Sequence, residues 1–264
     1  MVLRGAEAHH ARNVVRMKRG DKAVLFNGRG REITAEVVDL ARAQIRLRRL
    51  DQAETPRLRC DITLGQAIPK AKNMDLIVQK AVEIGAAEIA PLISERTIVD
   101  LDPRQAEQKK AKWEQVAVEA AKQCGQNWLP EIDVPRKLKE FFARFPSTVT
   151  TGLLASPKSD EGVRPVRQDT TAHGDVATAF DLRLIGSLQP DAQHLKKILG
   201  DYQSAYGRRP SSVLMLIGPE GDFTPAELGL AKSQGCLPIT LGPIILRVET
   251  AAIYCLSVLA YELL

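Results

Sequence analysis

Apolar positions change period near residue 60. Before that point they alternate with polar ones. KAVLFNGRGREITAEVVDL holds two alternating runs, at 23–26 and 33–38, separated by Asn27-Gly28-Arg29-Gly30. Alternation marks half-buried strands, and a glycine-rich break between two of them predicts a hairpin. QIRLRRL carries Ile45, Leu47 and Leu50, and period two puts Arg46 and Arg48 on one face. LDQAETPRLR is polar, contains a proline and reads as a linker. Residues 1–58 are therefore expected to form a small all-β domain and residues 59–264 a second domain.

In the second part strand and helix patterns alternate. DITLGQAI reads as a strand. Residues 74–85 read as a helix with Leu76, Ile77, Val78, Ala81, Val82 and Ile84 apolar and Gly85 as its stop. EIAPLI is a strand, and 104–123 a helix with Trp113, Val116, Ala117, Ala120 and Ala121 on one face. TVTTGLLA, SSVLMLIG and GCLPITLG read as strands, FDLRLIGSL as a strand or a late return to order, and 224–234 and the chain end as helices. Residues 157–179 read as a polar loop. Such alternation predicts an α/β domain with a mainly parallel sheet.

Two strand-to-helix loops carry the candidate chemistry. In IGPEGDFTPAEL an apolar strand ends at Gly218-Pro219-Glu220-Gly221. Thr224, Pro225 and Glu227 then supply a capping box with a proline start. LGPIILRVETAA, residues 241–252, again gives Gly-Pro, then aliphatics, then Arg247 and Glu249. Ligands bind at the carboxyl edge of parallel sheets, and glycines let backbone approach them closely. Neither GxxxxGK[ST] nor GxGxxG occurs, so a triphosphate cradle is not expected. Backbone groups with aliphatic walls suit a neutral or zwitterionic, adenine-type ligand.

Charge adds a partner. Residues 1–60 hold 14 Lys and Arg against 7 Asp and Glu, and the rest holds 23 against 25. A basic first segment on a near-neutral body suggests a polyanion, nucleic acid first. The 4 cysteines form no CxxC pair and no Cys/His cluster has zinc spacing. There is no apolar signal core and no run of about 18 apolar residues, so a cytoplasmic protein with reduced thiols and no membrane span is expected.

With these residues in view, the paired motifs IGPEG and LGPIILRVETA resemble the C-terminal motifs of the RsmE family of RNA methyltransferases, within the SPOUT superfamily. AEAHHARNVVRMKRGDKAVLFNGRG, NMDLIVQKAVEIGAAEIAPLISERT and EAAKQCGQNWLPEI are similar to three further segments of that family, in the same order. The resemblance covers the chain outside 157–210. It departs at Gln126, where the family has a basic residue, and at MVLR, which takes the place of an aromatic-rich first strand.

The resemblance implies a trefoil-knotted α/β methyltransferase domain, a PUA-like β-barrel at the N-terminus and a homodimer. The implied reaction is S-adenosylmethionine-dependent methylation of uridine N3 in small-subunit (16S) ribosomal RNA, free or in the assembled subunit, with no metal. The cofactor would lie on Leu216, Gly218, Glu220, Gly221, Leu241, Gly242, Leu246 and Thr250, with Leu154–Ala155 as a third edge. Arg247 would stabilise charge on the reacting base, or pair structurally with Glu249. Glu249 would be base, orienter or helix-start carboxylate. Glu220 would touch the ribose or complete its turn, and Thr250 would also cap the terminal helix. His10, Arg12, Arg16, Lys18 and Arg19 would meet RNA, or form a solvated face. Tyr254, Leu256 and Leu259 read as core or dimer face, and Lys80–Glu83 as a surface pair. The rivals are a non-catalytic RNA-binding assembly factor on the same scaffold and an enzyme acting on a small molecule.

Overall fold

The computed structural model describes residues 1–41, 44–70, 73–97, 101–145 and 180–264. The chain divides into two compact units, Met1–Leu58 with Ala121–Leu129, and Arg59–Ala120 with Pro130–Leu264.

The first unit is built on an antiparallel sheet of β1 (Val2–Arg4), β2 (Lys22–Phe26), β3 (Arg31–Leu40) and β4 (Gln44–Glu54), in the order β1-β4-β3-β2. MVLR thus supplies an edge strand, with Val2 opposite Arg46. Alternation sorts the faces as predicted. Ala35, Val37, Ile45 and Leu47 are buried with Ala8 and Ala11 of the short α1 (Gly5–His9) and the π-turn that follows it. Arg46 and Arg48 are exposed, and Arg48 pairs with Glu36 across strands at 2.6 Å. The expected linker begins too early: residues 51–54 still pair with β3. Their polarity reflects a strand end wet on both faces. The expected barrel is, among the described residues, this four-stranded sheet.

Residues 121–129, expected in the second domain, cluster with the first unit. The NGRG hairpin explains why. Gly28 and Gly30 have φ of 71° and 85°, and Gly30 N–H donates to the Asn127 carbonyl at 2.9 Å. A Cβ on Gly30 would lie 2.5 Å from the Trp128 ring, so only glycine seats that indole. The indole N–H donates to the Thr55 carbonyl at 2.8 Å, and Arg57 stacks on the ring at 4.3 Å.

The second unit centres on a parallel sheet of β5 (Asp61–Ala67), β6 (Glu88–Ile93), β7 (Glu131–Ile132), β8 (Arg136–Lys137), β9 (Leu182–Gly186), β10 (Gln193–His194), β11 (Ser212–Ile217) and β12 (Leu237–Thr240). Its order is β10-β12-β9-β11-β5-β6-β7, with β8 also on β6. The helices are α2 (Asn73–Ile84), α3 (Pro103–Cys124), α4 (Leu138–Arg144), α5 (Leu195–Tyr206), α6 (Pro225–Ser233) and α7 (Val248–Leu263). α3 runs on into the first unit through its last turn. Gly85 ends α2 at φ 92° as expected, but Leu76 is exposed rather than part of its buried face. α5 was not anticipated, although Leu195, Ile198, Leu199 and Tyr202 are buried at helical spacing. Cys60, Cys236 and Cys255 are buried and Cys124 exposed, all as free thiols. No described helix is long and apolar enough to cross a membrane. The TVTTGLLA strand, the Leu154–Ala155 edge and the 157–179 loop lie outside the described residues.

One half-buried carboxylate opposes the fold. Burial pushes Glu88 up to about 7, helped by repulsion from Glu131 and Asp133 and opposed by Arg144. Its Oε1 has no hydrogen-bond partner among the described residues. A carboxyl raised from 4.5 to about 7 binds its proton more tightly when folded. Stability from this group is therefore present below pH 4.5 and lost as pH rises to 7. Glu88→Gln should flatten that slope and stabilise the protein at pH 8 by up to about 3 kcal/mol. Melting curves from pH 4.5 to 8 check it, and an equally steep slope in the variant would refute it.

Candidate functional site

In a parallel sheet every strand ends at the same edge. The predicted loops, 218–223 after β11 and 241–246 after β12, therefore open on one side of the second unit. β9 stands between their strands, so the strand ends are about 10 Å apart. The loops after β5 and β6 reach the same edge.

The first loop is held from several directions. Asp222 N–H donates to the Pro219 carbonyl at 2.9 Å, and Asp222 has φ 61°. A Cβ on Gly218 would stand 3.2 Å from both Asp222 Oδ1 and Phe223 N, so the turn closes tightly on its own start. Glu220 Oε1 accepts the Lys70 N–H at 2.8 Å, which ties this loop to the end of β5. The capping box forms as predicted: Glu227 N–H donates to Thr224 Oγ1 at 3.3 Å and Thr224 N–H to Glu227 Oε2 at 2.9 Å. Glu227 also accepts from Ser94 and Glu95, and Arg96 donates to the Gly221 carbonyl. The sequence reading missed these residues of the β6 loop. The box reads as local, and nothing along the chain announces a partner 133 positions away.

In the second loop Gly242 has φ 110°, and its N–H donates to Thr240 Oγ1 at 3.3 Å. Ile244 and Ile245 are 72% and 77% exposed, an unusual pair of bare aliphatics beside a ligand-type loop. Leu241, Gly242 and Leu246 are half-buried. Leu216 lies wholly in the core and in ladder with β5 and β9.

Arg247 is the N-cap residue of α7, exposed, with no side-chain capping bond. Among the described residues no carboxylate pairs with it, so the Arg247–Glu249 ion pair is not formed. Glu249 instead accepts from Asn73 Nδ2 at 3.3 Å, which joins the first turns of α7 and α2. Asn73 had not been singled out. Thr250 lies inside α7, beyond the cap position Arg247 occupies, so it does not cap the helix. Leu256 and Leu259 are buried, Tyr254 and Tyr261 exposed, and Lys80 pairs with Glu83 at 2.8 Å. Leu154 is outside the described residues.

The predicted RNA contacts belong to the first unit. His10 and Arg12 are half-buried in the π-turn, and Arg12 Nη1 donates to the Ala41 carbonyl at 3.1 Å. Arg16, Lys18 and Arg19 are exposed on the corner before β2, and Arg16 has φ 58°. Arg16 and Asp222 are the non-glycine residues with positive φ among those described, one in each candidate surface. Such backbone often marks functional positions. Val14 and Val15 are exposed beside this corner and were not anticipated. Gln126 accepts the Trp128 N–H at 3.3 Å. Among the described residues no three His, Cys, Asp or Glu side chains gather as a metal site requires.

A tightly turned glycine loop at the carboxyl edge of a parallel sheet, in a chain that also carries a basic, mainly β unit, fits the class of enzymes that bind a nucleotide-like cofactor and act on nucleic acid. Comparison with known proteins agrees. Residues 56–260 match the family model for an RNA methyltransferase domain, and residues 3–48 that for an RNA methyltransferase PUA domain. The Ribosomal RNA small subunit methyltransferase E of Bacillus subtilis (strain 168) is 27% identical over 98% of this chain and 89% of its own. The protein of the same name from Mesomycoplasma hyopneumoniae (strain 232) is 31% identical over 74% and 67%. A Legionella pneumophila methyltransferase solved with its bound cofactor SAM superposes with a TM-score of 0.76, at 30% identity over 99% of this chain and 92% of that one. The chain belongs to the Ribosomal RNA small subunit methyltransferase E family of RNA methyltransferases. A member from Neisseria gonorrhoeae, bound to S-adenosyl methionine, superposes with a TM-score of 0.75 at 25% identity over 99% and 91%.

Gly242→Ala tests the second loop. A φ of 110° is strained for any side chain, so a loss of about 1–2 kcal/mol and a few degrees of melting temperature is expected. Unchanged melting would show that the loop relaxes without cost.

Proposed function

We propose that this protein transfers a methyl group from S-adenosylmethionine to N3 of a uridine in small-subunit ribosomal RNA. The observation that carries the reading is the pair of glycine loops on one sheet edge with Arg247, which no carboxylate among the described residues pairs, next to the second of them. The ligand's chemistry fits these residues. It needs backbone donors and acceptors near Gly218 and Gly242, an apolar wall such as Ile244 and Ile245, and no phosphate clamp. Glu220 and Asp222 put carboxylates near a cofactor that is cationic at sulfur. Leu241, Leu246, Gly221 and Thr250 complete the proposed lining.

S-adenosylmethionine supplies an activated methyl group. Uridine N3 would lose its proton, which puts negative charge on O2 and O4, and would bond to the methyl carbon as the carbon–sulfur bond breaks with its electron pair left on sulfur. Arg247, free of any carboxylate among the described residues, is placed on the loop to stabilise that charge. Glu249 stands two residues on, in contact with Asn73, and is the carboxylate nearest in sequence to take the proton. The exposed Tyr254 and Tyr261 of α7 support a homodimer through that helix. The family's knot would lie in the segment from β12 through α7. Arg12, Arg16, Lys18 and Arg19 would hold RNA phosphates, with His10 beside them, in the cytoplasm where ribosomes assemble.

Two measurements test this. Arg247→Ala should lower kcat by about 10²–10³ while leaving the fold and cofactor binding intact. Replacing Lys18 and Arg19 by Gln should reduce the slope of log affinity against log salt by about 2. An Arg247→Ala enzyme of normal rate, or RNA binding without salt dependence, would sink the respective assignment.

A further inference from the structure

We infer that Glu227 and Arg96 are positioning residues that lock the 218–222 turn in its ligand-binding shape. The inference rests on reading that turn as part of the cofactor site. Glu227 is a carboxylate only 7% exposed, at the start of α6. Its Oε2 accepts from Thr224 N at 2.9 Å and Ser94 Oγ at 3.2 Å, and its Oε1 accepts from Glu95 N at 2.9 Å. One side chain thus joins the start of α6 to the loop after β6. Charge-assisted bonds of this kind are the strong ones, and a buried carboxylate needs them.

Arg96 fastens the same two loops from the surface. Its Nη1 donates to the Gly221 carbonyl, and its side chain lies along Gly221, where a Cβ would be 3.3 Å from Arg96 Cδ. Its own backbone is set by the β6 loop: Arg96 N–H donates to Ser94 Oγ at 3.3 Å and Ser94 N–H to Thr97 Oγ1 at 3.1 Å. On the other flank Glu220 holds Lys70 N–H at 2.8 Å. The turn between them is therefore anchored to the ends of β5 and β6. A loop that binds through its main chain gains affinity when its shape is fixed beforehand. Neither residue needs to touch the ligand.

The test separates the clamp from the site reading. Glu227→Gln puts an amide NH₂ against a backbone N–H, either that of Thr224 or that of Glu95. Arg96→Gln removes the surface tie without entering the core, and it keeps the test open if the first variant does not fold. Each should raise KM for S-adenosylmethionine roughly tenfold, the effect of losing about one such bond, with kcat at saturating cofactor and RNA affinity unchanged. Arg96→Lys, which keeps a donor, should recover part of the loss. Gly218→Ala serves as the direct loop control. If Gly218→Ala weakens cofactor binding while both clamp variants behave as wild type, the clamp is refuted. A clamp variant that loses kcat and RNA affinity as well refutes a positioning role. If Gly218→Ala leaves cofactor affinity unchanged, the site reading itself fails and the clamp with it.

Discussion

The six residues of β11 are buried, and parallel ladders with β5 and β9 hold them in register. Everything at the site depends on that constraint. A strand paired on both sides and buried on both faces resists slipping, because a one-residue shift would exchange its two close-packed faces and misfit every side chain. All its neighbours run the same way, so their loops must emerge at one edge. Backbone groups leaving the ladder there have lost their partners and need others. Gly218, at the first step off the strand, is where the chain begins to offer them.

Those loops are then fixed by side chains rather than by more sheet. Glu220 caps the backbone after β5, Glu227 caps the backbone after β6, and Asn73 holds Glu249 at the start of α7. Acidic and amide groups of short reach each satisfy a neighbouring segment. The one basic side chain of the second loop, Arg247, is left out of this network among the described residues. At this edge the carboxylates each hold a neighbouring segment, whereas the Arg247 guanidinium has no carboxylate partner among the described residues.

Much of this was legible along the chain, and the reasons differ by residue. Period-two alternation gave Ile45 and Leu47 an inner face and Arg46 and Arg48 an outer one, because a pleated strand has no other option. The Thr224–Glu227 box was readable because its bonds span three positions. Gly85 and Gly242 were readable as breaks because left-handed backbone selects glycine. The reach of Glu227 to Ser94, the seat of Trp128 on Gly30 and the Asn73–Glu249 contact join residues far apart in sequence. Only the folded arrangement brings them together. Helix α5 was missed for a different reason: its apolar spacing is regular, but it follows a long polar stretch and begins with His194 and Leu195 rather than with a strong capping residue. The roles of Arg247 and Glu249 came from family resemblance and not from periodicity, since an Arg and a Glu at a helix start have bland structural uses as well.

The central claim is that this sheet edge delivers a methyl group to a ribosomal uridine. Incubating the protein with methyl-labelled S-adenosylmethionine and under-modified small ribosomal subunits, then digesting the RNA and identifying the labelled nucleoside by mass spectrometry, tests it most directly. Label is expected in N3-methyluridine at a single position of small-subunit RNA. Label at another atom or base, or none in RNA while the protein still binds the cofactor, would contradict it.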